Sequence, residues 1–241
     1  MQVQSQVGPV ATTQSIAPGS VVALRSGNLG DTIVSELHGR FYEQTYRNNL
    51  FSTSMSATGA LTALSSANQT VANGLSATLA TAAASTPILG IWNPATSSIN
   101  AVILQATLGI TQTALTVTGA GGFIWAVFTG NSNITTGSTP VNRKTLTASG
   151  SQCKGMSGNV ALTGLTNIGV ALATSALNGG SIYNVSEAST ASGFVTQAVG
   201  YTENIDGSII VPPGGVLALY ATTTPVALSA VGSLLWEEVP V

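Results

Sequence analysis

Along the second half of the chain, apolar residues come in short runs bounded by Gly, Pro and Asn. Ile88-Leu89-Gly90-Ile91-Trp92 ends at Asn93-Pro94, a turn dipeptide. Ile99 to Ile110 and Gly121 to Phe128 are further apolar runs, and Asn131 to Pro140 is a polar loop. Val160 to Leu172, Ser181 to Val185 and Phe194 to Tyr201 give weaker strand signals, separated by Asn178-Gly179-Gly180 and Ser192-Gly193. The most heavily punctuated stretch is Asp206 to Ala221. Asp206-Gly207 predicts a turn, and Ile209 to Val211 is a short β-branched run. Pro212-Pro213-Gly214-Gly215 then ends one strand and lets Val216 to Ala221 begin the next, because proline cannot donate to a ladder and glycine accepts positive φ. Leu234-Leu235-Trp236 falls in a further strand. Many short strands with this punctuation predict an all-β fold, an antiparallel β-sandwich. No fixed-period repeat is present.

The first half reads differently. Residues 1–30 are polar and broken by Pro9 and Pro18, which predicts an extended arm with one strand at Val21 to Leu24. Residues 31–51 hold five of the chain's fourteen charged residues and its only histidine, His38. Glu36 precedes Arg40, and Glu43 precedes Arg47, by the four residues that favour a helix. Tyr42, Tyr46 and Leu50 share that spacing. A short helix and a packed extended segment are both compatible with this pattern. Residues 52–86 are rich in Ala, Ser and Thr without charge, and alanine content suggests a helix at Leu75 to Ala84. The expected organisation is an N-terminal arm over 1–51 and a β-sandwich domain over 52–241.

Charge changes the picture. Only 6% of the 241 residues are charged, against about 25% in an average domain. Solubility must come from Ser, Thr, Asn and Gly, and so uncharged a surface is poor at keeping copies apart. That predicts a homo-oligomer. Net charge is −2 with six basic residues, and Arg143-Lys144 is the one adjacent basic pair, so no nucleic-acid partner is expected. Arg143 to Gly158 reads as an exposed excursion. The opening Met1-Gln2-Val3-Gln4-Ser5 does not have the basic-then-apolar form of a signal peptide. No apolar run reaches transmembrane length, so no membrane partner is expected.

Candidate chemistry is sparse, and no enzyme is expected. His38 with Asp31 and a serine would make a triad only on paper, since no Gly-x-Ser-x-Gly elbow accompanies it. One cysteine, Cys153, and one histidine show no zinc spacing. Lys154 beside Cys153 could activate the thiol, but no partner base stands nearby in sequence and a plain loop is expected. Glu237-Glu238 are neighbours and point to opposite faces of a strand, so they make no glycosidase pair. Glu203 and Asp206 are without a calcium-loop pattern, and Gly119-Ala120-Gly121-Gly122 is without the Lys of a phosphate loop. Asn68, Asn133 and Asn184 begin glycosylation triplets of a kind that arises by chance in Ser/Thr-rich chains. Trp92, Trp125 and Trp236 sit in apolar runs, which favours core packing over a sugar platform. No catalytic residue, cofactor or metal site is assigned. The expected interface is Arg40, Phe41, Tyr42, Tyr46 and Arg47, because aromatics and arginine are enriched at interface anchors.

Several islands resemble structural proteins encoded by tailed bacteriophages. They are Gly30-Asp31, Ser35-Glu36-Leu37-His38-Gly39-Arg40-Phe41-Tyr42-Glu43, Asn93-Pro94, Asp206 to Gly214, and Trp236-Glu237-Glu238-Val239-Pro240. The resemblance implies a virion component made in the host bacterial cytoplasm. It implies a head decoration, or cement, protein with a jelly-roll-like sandwich on the capsid surface. Its partners would be the major capsid protein and, by analogy, two further copies in a homotrimer. A major shell protein of the usual tailed-phage type would show a long charged helix and a long hairpin, and a portal would be more helical. A fibre or tail structural protein and a carbohydrate-binding β-sandwich module are the alternatives.

Overall fold

A computed structural model of the chain describes residues 41–56, 58–65, 68, 86–112, 122–129, 134, 137–156, 162, 170–174, 198–222 and 228–241. The expected strands at Val21 to Leu24 and Ser181 to Val185, and the helix at Leu75 to Ala84, lie outside these residues. By its contacts the chain divides into Met1–Glu43 and Gln44–Val241. The elements in order are α1 (Tyr42–Tyr46), β1 (Leu50–Ser54), β2 (Thr62–Ala63), β3 (Leu89–Trp92), β4 (Ile99–Gln112), β5 (Phe123–Phe128), β6 (Val141–Asn142), β7 (Lys154–Met156), β8 (Val170–Thr174), β9 (Ala198–Val211), β10 (Val216–Ala221) and β11 (Leu228–Pro240).

The strands form an all-β antiparallel sandwich, as the punctuated apolar runs predict. One sheet has the order β6-β1-β11-β4-β9, with β2 also on β11, and the other has the order β7-β3-β10-β5-β8. Leu50 and Phe51 open β1 and pair with Glu237 and Trp236. The boundary expected after Phe51 therefore falls inside a strand of the first sheet.

Burial separates the two sheets. In β4 and β11, buried residues alternate with residues open to the outside, as in Ala106, Leu108 and Ile110 against Gln105, Thr107 and Gly109. This is the period-2 pattern of a sheet with one wet face. β3 and β10 are buried at every position. Their inner residues, Leu89, Ile91, Leu217 and Leu219, join Ile103, Leu108, Leu234 and Trp236 in the main core. Their outer residues, Trp92, Val216, Ala218 and Tyr220, join Phe128, Met156, Ile134 and Leu162 in a second apolar cluster. Continuous runs such as Val216-Leu217-Ala218-Leu219-Tyr220-Ala221 are thus strands covered on both faces.

The β4 strand carries a phase change. Ile103 and Leu104 are adjacent and both buried. Leu104 is skipped in the register with β11 and with β9 alike, so it is a β-bulge. Inward positions are odd before it and even after it. On β9, Ile205 to Ser208 stand opposite Leu104. Asp206 and Gly207 have φ of 54° and 80°, and Ser208 Oγ donates to Ile205 O at 2.7 Å. The turn expected at Asp206-Gly207 is present as a local excursion, after which β9 resumes along β4. The reason is that β4 has long apolar pairing surface on both sides of the bulge.

The Pro-Pro-Gly-Gly turn does separate two strands. Gly215 N donates to Pro212 O at 2.9 Å, with Gly214 at φ 80°, the position a type II turn reserves for glycine. The turn carries the chain from one sheet to the other. Asn93, at the β3–β4 crossing, holds this corner. Its Nδ2 donates to Ile99 O at 2.7 Å and to Val211 O at 2.9 Å, and its Oδ1 accepts from Ser97 Oγ. Its backbone N donates to Gly215 O at 2.9 Å, and its O accepts from Gly214 N at 2.8 Å. One fully buried amide thereby ties both crossings between the sheets. Replacing Asn93 by Ala leaves the Ile99 and Val211 carbonyls without a donor, and urea unfolding is expected to show a loss of about 3 kcal/mol. Asn93→Asp keeps the shape and cannot donate, so its loss should be at least as large.

Candidate functional site

α1, five residues long, is the short helix that the spacing of Tyr42 and Tyr46 allows, and it ends after Tyr46 because the chain leaves it through a built stop. Asn48 has φ 70°, its N donates to Thr45 O at 3.0 Å, and Asn49 N donates to Gln44 O at 3.1 Å. These are the two bonds of a Schellman motif, with asparagine in the left-handed position. The stop turns the chain into β1, where core packing of Leu50 and Phe51 outweighs further helix. Phe51 stacks on Trp236 with ring centroids 6.4 Å apart.

Of the expected interface residues, Arg40 lies outside the described residues. Phe41 is half-buried and Tyr42 exposed. Tyr46 and Arg47 are exposed at the end of α1, and each is engaged within the sandwich. Lys144 Nζ lies 4.9 Å from the centroid of the Tyr46 ring and donates to Tyr46 O at 2.7 Å. The Arg47 guanidinium lies near Glu237 on β11. Burial raises the Glu237 carboxyl above its ordinary pKa, and the Arg47 charge opposes that shift. Sequence reading missed the part played by the 141–147 loop. Asn142, buried, donates from Nδ2 to Asn48 O at 3.1 Å, and its Oδ1 accepts from Lys144 N at 2.9 Å and Thr145 N at 3.1 Å. An Asn two and three residues ahead of those amides is an Asx-turn signal, but its link to Asn48 spans the sequence and has no local signature.

The loop ends in a strained residue. Leu146 has φ 58° and is 77% exposed. A branched, bulky residue in this region costs about 1–2 kcal/mol, and nothing in its burial offsets that. Residues 143–150 are exposed, but Cys153, Gly155 and Met156 return to the interior. The excursion expected to run from Arg143 to Gly158 is therefore shorter, because β7 pairs with β3.

Glu238 explains the return. Its buried carboxylate accepts from Ser151 Oγ, from Gln152 N at 3.1 Å, from Cys153 N at 3.4 Å and from Trp236 Nε1 at 3.4 Å. Glu237 points outward, as strand alternation predicts. Cys153 is fully buried beside Glu238, and burial first, then that carboxylate's charge and hydrogen bond, push the thiol well above its ordinary range. Lys154 does not activate it.

The remaining candidates are structural. Trp92, Trp125 and Trp236 are buried, and Trp125 Nε1 donates across the sheets to Glu203 Oε2 at 3.0 Å. Asn68 is fully buried, accepting from Ser65 N at 2.9 Å and donating to Thr86 O at 3.2 Å, so it is no glycan acceptor in this fold. Asn133, Asn184, Asp31 and His38 lie outside the described residues, as does Gly119 to Gly121. Among the described residues no group of three or more His, Cys, Asp and Glu is placed to hold a metal. No helix among them is long and apolar enough to cross a membrane.

The outer face of the first sheet carries a shallow groove of about 410 Å³, lined by Ser54, Thr107, Gly109, Gly200, Thr202 and Ser233 among others. Thr107 Oγ1 and Ser233 Oγ are hydrogen-bonded at 2.7 Å, and Gln105 Nε2 donates to Asn204 Oδ1 at 2.8 Å. The surface of the groove is mainly apolar, with Val231 beside the hydroxyls, and no Asp, Glu, Lys, Arg, His or Cys lines it. Compared with protein-family models, with characterised proteins and with solved structures, the chain has no match.

Two outcomes follow from this geometry. The Cys153 thiol stays protonated when folded but ionises above about pH 8.5 when unfolded. Its contribution is therefore complete below that pH and is lost as pH rises, by up to about 1.4 kcal/mol per unit. Urea midpoints measured from pH 8 to 10 should fall more steeply in the native chain than in Cys153→Ala. Separately, Leu146→Gly removes the left-handed penalty and should raise stability by roughly 1 kcal/mol, read as a higher thermal midpoint.

Proposed function

We propose that this chain is a structural protein of a tailed-bacteriophage virion, a jelly-roll subunit that decorates the outer head shell and stabilises it without catalysis. The observation that carries this reading is the strand order. β1, β11, β4 and β9 lie in one sheet and β3, β10, β5 and β8 in the other, so successive long strands alternate between the sheets, apart from β5 and β8, which share one. Double-sheet jelly rolls interleave their strands in this way and serve as viral capsid and lectin domains. The charge-poor outer face of the first sheet, where Val231 and the exposed Ile210 stand among Ser and Thr, adds support, because such a face is suited to contact with other subunits rather than to repelling them. In this reading the partners are the major capsid protein and further copies of the chain, as a homotrimer. Binding only the assembled shell would stabilise it by mass action, about 2.7 kcal/mol per site at a hundredfold excess over Kd.

A fibre or tail protein shares the same fold support and differs in location. A sugar-stacking module is disfavoured, since Trp92, Trp125 and Trp236 are inside the fold. The deciding measurement is the position and copy number of the chain in purified particles, by cryo-electron microscopy and quantitative mass spectrometry. The expected result is an outer-head location in fixed ratio to the main shell protein, with heads stripped of the chain opening at lower temperature. Density confined to the tail or fibres would move the assignment there, and absence from particles would overturn it.

A further inference from the structure

We propose that the ridge formed by the end of α1 and the 141–147 loop is a docking surface for an acidic face of another protein, with Leu146 as its apolar peg and Arg47, Arg143 and Lys144 as its steering cations. The head-shell reading supplies that partner's identity; the chemistry of the ridge stands without it.

Three observations converge. The first is charge: half of the chain's six basic residues lie on this ridge, and all three are exposed, in a chain of formal charge −2. The second is the peg. Leu146 combines the left-handed backbone, φ 58°, with 77% exposure, and a strained apolar residue held out to solvent is the pattern seen where strain serves a contact. Val141, on the same loop, is also exposed. The third is preparation. Lys144 is held on the Tyr46 ring and carbonyl, and the loop backbone is fixed by Asn142 and by Arg143 N donating to Leu50 O at 2.9 Å. A contact surface ordered before binding loses less entropy on association. Glu237 beside Arg47 is the carboxylate that borders the patch.

The chemistry favours a folded protein over other polyanions. Three cations neutralise few phosphates, whereas nucleic-acid affinity rests on many such contacts. Anionic membranes are read by clusters of about 4–8 basic residues. A single leucine rimmed by cations instead fits an apolar dimple rimmed by carboxylates, where the buried anchor supplies affinity and the rim charges supply steering.

The test uses the full chain and four variants: Arg143→Glu with Lys144→Glu, Leu146→Gly, Arg47→Gln, and Lys154→Glu as a basic-residue control on the other sheet. Binding is measured to an immobilised peptide of alternating Glu and Leu, and to head shells assembled without this chain. A DNA duplex and phosphatidylglycerol vesicles serve as competing probes. The native chain is expected to bind the peptide several-fold more weakly at about 300 mM than at about 50 mM salt. The double charge reversal should lose about tenfold or more, Leu146→Gly should lose affinity without losing fold, and Lys154→Glu should match the native chain. Peptide binding through the ridge with no shell binding would keep the ridge and sink the head-shell reading. Shell binding unchanged in both the charge-reversed and Leu146→Gly chains would sink the ridge and leave that reading standing. No peptide binding at low salt, or tighter binding to DNA or vesicles than to the peptide, would also overturn the proposal.

Discussion

Everything in the sandwich depends on one buried corner, where the Asn93 amide meets carbonyls from the start of β4 and the end of β9. Two sheets packed face to face have no hydrogen bonds between their ladders; apart from the side-chain bond of Trp125 to Glu203, apolar contact sets their spacing, and such contact leaves sliding and rotation cheap. A side chain that donates to both strands of one sheet while its backbone bonds the turn entering the other removes that freedom. The apolar core supplies most of the free energy of burial, and Asn93 determines how the two halves of that core are aligned.

The two faces of the second sheet follow from the same constraint. Once β3 and β10 are fixed as crossings from the first sheet, both their sides have apolar partners, one side in the main core and the other under Ile134 and Leu162. The first sheet keeps one wet face. That asymmetry leaves the second sheet covered on both faces and the first open on one, with Tyr46, Lys144 and Leu146 on the β6-β1 side of the first sheet.

Local chemistry was what the letters conveyed well. Runs such as Ile88 to Trp92 and Val216 to Ala221 announced strands, and Pro212 to Gly215 announced a turn. What the letters could not convey was pairing across long separations. Asp206-Gly207 has the chemistry of a hairpin turn, and only the continued match of Ile209 to Val211 with Ala101 to Ile103 makes it an excursion within one strand. The Glu238 cradle joins residues more than eighty positions apart, and Lys144 meets Tyr46 across 98. Neither pairing leaves a periodic trace. The aromatic and charged segment ahead of β1 was visible as unusual composition, but its loop partner carried no sign of the contact.

The excursion at Ile205 to Ser208 bears on a different matter, how such a chain survives at high concentration. Among the described strands β9 is the outer strand of its sheet, and a long flat edge of this kind invites stacking of copies into fibrils. A strand laid along β9 would have to follow a protrusion bearing a carboxylate, Asp206, at two consecutive positive φ values. A regular incoming strand cannot do so without breaking its own ladder. Any sheet growth along this edge would meet that protrusion midway, a form of edge protection that works through backbone shape where other proteins use lysine.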